Sequence, residues 1–272
     1  MTHSRPRVRE LLTSRGLVPR RDLGQNFVAD PNTVRRIAHL AGVGPGDRVV
    51  EIGAGLGSLT LALAETGAAI TAVEVDRGVV AALADVVGAL DNVSVVEADA
   101  MAMDWSAVLG DGGGWVLVAN LPYNVATPLV CDVLDDVPAV ERMLVMVQRE
   151  VGQRLAAGPG RPGYGAVSVK VAYWSRARIV GEVPAAVFVP RPNVESALVE
   201  IVRRPPPDVP SAPLFQLVRT AFGQRRKMLR RSLAGLVTLE ELVAAGIPGT
   251  ARPEELDLDD WCRLTVVTMV GT

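Results

Sequence analysis

Between Arg48 and Ile201 the chain alternates short β-branched apolar runs with segments of helical periodicity, and this alternation restricts the possible folds more than any other feature. Strand-like runs fall at Val49-Val50-Glu51-Ile52, Ile70 to Val75, Val93 to Val96, Trp115 to Ala119 and Met143 to Val147, each followed by a segment of helical pattern. Strands linked in this way lie parallel and need cover on both faces, which predicts an α/β fold with a Rossmann-like, doubly wound, mostly parallel sheet. Ala177 to Val183 and Ala197 to Val202 add two strands at one edge, for seven in all. Before the sheet, Asp30 and Pro31 supply an N-cap and a first-turn proline for a helix with apolar face Val34, Ile37, Ala38 and Ala41, ended by Gly42. Arg204-Pro205-Pro206-Pro207-Asp208-Val209-Pro210 can continue neither a helix nor a central strand. The expected division is therefore a mobile basic tail (1–25), a sheet domain (26–204) and a small all-helical domain (205–272) with stripes Phe215/Val218/Phe222 and Leu229/Leu233/Leu236.

Composition narrows the chemistry. Cys131 and Cys262 are far apart with no CxxC pair, and His3 and His39 leave little material for a histidine triad or a metal site, so no metal is expected. The first residues lack the apolar core of a signal peptide and no apolar run approaches a membrane span, which predicts a cytoplasmic protein without membrane contact. Net charge is only −2, yet cations cluster at Arg5, Arg7, Arg9, Arg15, Arg20 and Arg21 and again at Arg225, Arg226, Lys227, Arg230 and Arg231.

The turn after the first strand, Glu51-Ile52-Gly53-Ala54-Gly55-Leu56-Gly57, lets bare backbone approach a nucleotide closely because its three glycines carry no Cβ; a tight turn without a ligand is the alternative. The second strand ends at Glu74, about 20 residues beyond the first glycine, where a carboxylate can accept both ribose hydroxyls. Gly53-x-Gly55-x-Gly57 lacks the GxGxxG interval of dinucleotide sites, and Asp99 ends the third strand where it can accept from an adenine amine or, alternatively, cap a loop. An adenosine without pyrophosphate suits this set, pointing to S-adenosylmethionine rather than NAD.

The fourth strand runs into Asn120-Leu121-Pro122-Tyr123-Asn124. An adenine amine is a poor nucleophile because its lone pair is delocalised into the ring. The Asn120 side-chain oxygen and a neighbouring carbonyl, held by Leu121-Pro122, can accept both N–H bonds and free the lone pair, while Tyr123 offers a face for stacking. A strand-end turn with a core tyrosine is the bland alternative. In-line placement before a sulfonium needs neither metal nor general base.

With these residues in place, the chain resembles the bacterial small-subunit rRNA adenine dimethyltransferases over nearly its whole length. Leu23-Gly24-Gln25-Asn26-Phe27-Val28 resembles the family's opening cofactor motif, Glu51 to Gly57 its glycine loop and Asn120-Leu121-Pro122-Tyr123 its catalytic motif. The resemblance implies cofactor contacts from Asn26, Val28, Gly53, Glu74, Asp99 and Asn120, with Gly55 in the same loop. Phe188-Val189-Pro190-Arg191-Pro192-Asn193-Val194-Glu195-Ser196-Ala197 is similar to the family's second aromatic loop, so Phe188 is implied to close the other face of a flipped adenine. Also implied is transfer of two methyls to each of two adjacent adenines in the 3′-terminal hairpin of 16S rRNA during subunit assembly. Small departures are Val28 for leucine, Ala54 for proline and Arg191 within a proline run.

Helical spacing sets Lys227, Arg230 and Arg231 away from Leu229 and Leu233, so with Arg225 and Arg226 this run is read as a phosphate-contacting face of a monomeric enzyme. The arginine-rich tail receives the same reading. Recognition through RNA shape and an extruded base follows from the dominance of arginine. Three rival readings are a 23S rRNA adenine methyltransferase of the macrolide-resistance type, a non-catalytic RNA-binding assembly factor, and an NAD-linked oxidoreductase.

Overall fold

The computed structural model describes residues 2–20, 23–122 and 124–270. Its strands are β1 (Phe27–Val28), β2 (Arg48–Ile52), β3 (Ala69–Glu74), β4 (Val93–Glu97), β5 (Trp115–Asn120), β6 (Val140–Gln148), β7 (Ser175–Val183), β8 (Phe188–Val189) and β9 (Ser196–Arg203). Seven of them form one sheet in the order β4-β3-β2-β5-β6-β9-β7. Strands β2 to β6 pair in parallel and β9 runs antiparallel to β6. The seven expected strands are all present, each within a few residues of its expected ends. Apolar side chains along β2 and β5 are buried on both faces, the pattern of central strands in a doubly wound sheet.

The chain steps outward from β2 through β3 to β4 and then returns to lay β5 against the other side of β2. This reversal is the switch point at which such sheets open a crevice at their carboxyl ends. Register aligns the edge: Ile52 is level with both Val73 and Ala119, and Glu74 with Glu97. Gly53, Glu74, Asp99 and Asn120 therefore emerge from four neighbouring strand ends.

Helix Pro31–Ala41 follows its sequence cues closely. Asp30 accepts from Thr33 N–H, Gly42 closes the helix in the left-handed region at φ 58°, and Val34, Ile37, Ala38 and Ala41 are its buried residues. A two-residue sheet pairing β1 with β8 was not expected, being too short to carry any alternation.

Two expectations about domains are corrected. Arg5–Ser14 is a helix rather than a loose tail, because Val8, Leu11 and Leu12 form a buried stripe among its arginines. The compact units also divide differently: Met1–Gly152 with Arg178–Val202, and Gln153–Ala177 with Arg203–Thr272. Segment 153–177 joins the helical unit because Val169 and Tyr173, on helix Ala166–Trp174, pack in the same core as Leu214, Val218 and Trp261. Tyr164 and Tyr173 donate from their hydroxyls to Leu256 O and Val209 O at 2.6 and 2.7 Å. No helix among the described residues is long and apolar enough to cross a membrane.

Candidate active site

The turn leaving β2 folds over the end of β3, with the N–H groups of Gly53 and Ala54 both donating to Val73 O at 2.9 and 3.1 Å. Gly53, Gly55 and Gly57 have φ of 71°, 58° and 83°, a region that residues with a Cβ seldom enter. At Gly55 space is limiting as well, since a Cβ would stand 3.1 Å from the Phe27 ring. The result is a rim of bare backbone. Glu74 is fixed to it: one oxygen accepts from Gly55 N–H at 2.8 Å and the other from Val75 and Asp76 N–H at 3.0 Å each. Burial pushes the Glu74 pKa up, against those three N–H groups and with the Asp76 charge. Each carboxylate oxygen has two lone pairs, so one acceptor site remains, on the oxygen bonded to Gly55 N–H, with room for one ribose hydroxyl.

Asn120 ends β5 beside this rim. Its Nδ2 donates to Asn26 O at 3.0 Å, and Asn26 Nδ2 donates to Gly24 O at 3.0 Å. An amide whose nitrogen is so engaged presents its oxygen as the acceptor. Gly24, at φ 62°, lies so close to the turn after β5 that a Cβ would be 2.8 Å from Pro122 Cβ. Gln25 accepts from Arg20 N–H at 2.8 Å and donates to Asp76 at 2.9 Å. Residues 23–26 thus tie the end of β5 to the end of β3.

Two cavities, of about 90 and 270 Å³, open along the carboxyl edge and share Leu23, Gly53, Val75 and Pro122. The first is lined by Asn26, Val28, Gly55, Glu74 and Asn120. Asp99 lines the second with Met101, and also caps its own loop by accepting from Met101 N–H at 2.9 Å. Val28 and Leu121 are both buried; Val28 lines the first cavity and Leu121 lines neither. Tyr123 lies outside the described residues.

Phe188 departs from expectation. Pairing of Val28 with Phe188 brings the second aromatic loop to the opening motif, but the Phe188 ring is 1% exposed and packs in one core with Val28, Ile37 and Val183 rather than facing the cavities. An apolar ring beside a packed cluster is held inward by the hydrophobic effect.

Sequence reasoning missed Glu51 as a functional residue. Its Oε2, with Ser58 Oγ and Thr60 Oγ1, is buried without a hydrogen-bond partner among the described residues, and Glu51 and Ser58 line the first cavity. Burial pushes the Glu51 pKa to about 8, partly offset by the nearby Thr60 hydroxyl and reinforced by Glu74. An acid in the otherwise apolar run Val49-Val50-Glu51-Ile52 was the available signal. Such an orphaned carboxyl fits the cationic methionyl end of S-adenosylmethionine, as Glu74 fits the ribose and Asp99 the adenine.

In the helical unit, the basic run also differs from its expected form. Helix Ser211–Gly223 is followed by a turn, Met228 is extended, and Leu229–Ser232 makes a single helical turn, so Lys227 is not on the helix face inferred for it. Leu229 and Leu233 are buried as expected, whereas Leu236 is exposed. Arg226, Lys227, Arg230 and Arg231 are exposed, while Arg225 is paired with Glu254 at 2.9 Å. Of the N-terminal arginines, Arg5 donates to backbone carbonyls, Arg7 pairs with Glu10 and Arg15 pairs with Asp85; Arg21 lies outside the described residues. The expected phosphate-facing tail is thus largely engaged within the protein.

A doubly wound sheet with a glycine-rimmed crevice and an asparagine turn at its switch point is the architecture of the class of the S-adenosylmethionine-dependent methyltransferases. The family model for ribosomal RNA adenine dimethylase matches residues 17–268. A ribosomal RNA small subunit methyltransferase A from Acidothermus cellulolyticus is 46% identical over 269 residues, covering 94% of this chain and 91% of its own length. Its namesake from Streptomyces coelicolor is 46% identical over 270 residues, covering 94% and 93%. Among solved structures, a dimethyladenosine transferase from Plasmodium falciparum superposes with TM-score 0.76 at 22% identity over 87% of this chain and 95% of its own. The 23S rRNA methyltransferase ErmE gives TM-score 0.71 at 24% identity, covering 90% and 100%. The chain belongs to the ribosomal RNA adenine dimethylase family.

Proposed function

We propose that this protein dimethylates, at N6, two adjacent adenines in the 3′-terminal hairpin of small-subunit rRNA, using S-adenosylmethionine, as a cytoplasmic monomer acting during subunit assembly. The observation that carries the reading is the Asn120 side chain, held by its donation to Asn26 O beside the glycine rim. Similarity over 94% of the chain to proteins named ribosomal RNA small subunit methyltransferase A supports the choice of subunit.

The bound cofactor supplies a methyl group on a sulfonium, already a good leaving group. Asn120 Oδ1 accepts one N6–H bond of the target adenine. The second acceptor in this reading is the Leu121 carbonyl, a choice supported by the engagement of Pro122 O with Val125 and Ala126 N–H at 3.2 and 3.1 Å. In the first transfer two acceptors on one amine favour a pyramidal nitrogen with an available lone pair, and in the second the single remaining N–H engages one of them. In each, the new N–C bond forms as the methyl–sulfur bond breaks, the sulfur leaves as a neutral thioether, the surplus N6 proton passes to solvent, and positioning supplies most of the acceleration. Tyr123 stacks on the base. Phe188 closes the other face once the base displaces it from its core position. Arg226, Lys227, Arg230 and Arg231 contact phosphates from the helical unit, with Arg225 contributing less because of Glu254.

Labelled methyl transfer to unmethylated small subunits, large subunits and free rRNAs, with the labelled nucleoside identified, tests the reading. N6,N6-dimethyladenosine in small-subunit rRNA is expected. Labelling confined to large-subunit rRNA, or cofactor binding without transfer, overturns it.

A further inference from the structure

The arginine-rich segment before the opening motif is built into the protein at two functional places. Its helix buries Val8, Leu11 and Leu12 against Phe27, Leu56, Val79 and Ala82, with Val189 packed at the margin. Leu56 belongs to the glycine rim, Phe27 abuts Gly55, and Val189 follows Phe188. Polar contacts from the start of the segment reach the same two places. Buried His3 donates from Nε2 to Leu56 O at 2.8 Å. The Arg5 guanidinium donates to Phe188 O at 3.2 Å and to Ala186 O. Neither residue lines the cavities along the carboxyl edge.

We propose that the N-terminal segment is a two-point strap, in which His3 positions the glycine rim for the cofactor and Arg5 positions the Phe188 loop for the target base. The inference rests on the methyl-transfer reading above. Leu56 lies between Gly55, whose N–H binds Glu74, and Gly57, so a shift of its carbonyl moves the turn that frames the ribose. Two carbonyls two residues apart suit the planar fork of arginine and not the point charge of lysine. Because a carbonyl only accepts, the His3 proton sits on Nε2; burial lowers the His3 pKa, keeping the ring neutral near neutral pH.

The test compares His3→Ala, His3→Gln, Arg5→Ala and Arg5→Lys in the full chain, reading the Kd for S-adenosylmethionine by calorimetry, kcat and KM on unmethylated small subunits, and Tm. Arg5→Ala and Arg5→Lys are expected to lower kcat on the order of tenfold while cofactor Kd stays within about twofold. His3→Ala is expected to weaken cofactor binding on the order of tenfold, and His3→Gln, whose amide can still donate, to restore most of it. Wild-type kcat and KM in Arg5→Ala overturns the proposal, as does parallel loss of Kd, kcat and Tm in all four variants, the mark of a merely structural helix. Inactive wild-type protein on small subunits refutes the methyl-transfer reading instead, and the cofactor Kd of the His3 variants still reports on the strap.

Discussion

The carboxyl edge of the sheet and the basic run of the helical unit are built in opposite ways. At the sheet edge, backbone does the holding: Gly53 and Ala54 close on Val73 O, three N–H groups fix Glu74, and the Asn26 carbonyl fixes Asn120. At Arg226, Lys227, Arg230 and Arg231 the side chains are exposed charges on a turn and a single helical turn. The first region is organised on folding and acts at contact distance, where displacement by one ångström is costly. In the proposed function the second acts through a field screened over about 8 Å at physiological ionic strength. One changed group is therefore expected to end function at the sheet edge, whereas the basic run is expected to lose it by increments.

Asn120→Ala gives the largest contrast. Its kcat is expected to fall by roughly 10² to 10³ or more, with cofactor binding weakened but measurable, since one of the two amine acceptors is lost. Full activity removes the mechanism. Replacing Arg226, Lys227, Arg230 and Arg231 together by alanine is expected to weaken small-subunit binding and to flatten its log–log salt dependence by roughly 3, leaving cofactor Kd unchanged. An unchanged slope in binding assays across salt counts against this face, and Arg225→Ala alone is expected to have a smaller effect because Arg225 is paired with Glu254.

Glu51 sharpens the comparison from the other side, because its environment rather than its exposure sets its charge. Its folded pKa is about 8 against an ordinary 4.5. Below 4.5 both folded and unfolded states carry the neutral acid; between 4.5 and about 8 only the unfolded state ionises, so stability without cofactor falls as pH rises through that window. Glu51→Gln is expected to remove this slope from thermal denaturation curves, and identical slopes in both proteins contradict the assignment. The smallest effect is expected at Leu236, exposed where Leu233 is fully buried. Leu236→Ala should change stability by less than about 0.5 kcal/mol, against roughly 2 to 5 kcal/mol for Leu233→Ala, in chemical denaturation.

The sheet was legible in the sequence because strands buried on both faces must be written as nearly continuous apolar runs, and the glycine rim because φ near 60° to 80° selects glycine. What escaped lacked such a local imprint. The helix Arg5–Ser14 hides a three-residue apolar stripe among arginines, and helix Ala166–Trp174 is too uniformly apolar and β-branched to show a helical face. Gly223 is the expected break after the first stripe and does end helix Ser211–Gly223, but no proline or glycine marks the extended Met228, so periodicity was carried through the turn between them. The resemblance implied Phe188 as a site residue without indicating that its ring packs inward, because burial depends on Ile37 and Val183, distant in sequence. The identities of Asn26 and Asn120 were visible, whereas the hydrogen bond that joins them across 94 residues was not.

A crystal structure of the protein with S-adenosylmethionine tests the central claim most directly. The account predicts a sulfonium methyl directed at the Asn120 side-chain oxygen, with room for a purine whose amine stands within about 3 to 3.5 Å of the methyl carbon. A methyl directed away from Asn120, with no space beside it for a base, would contradict the account.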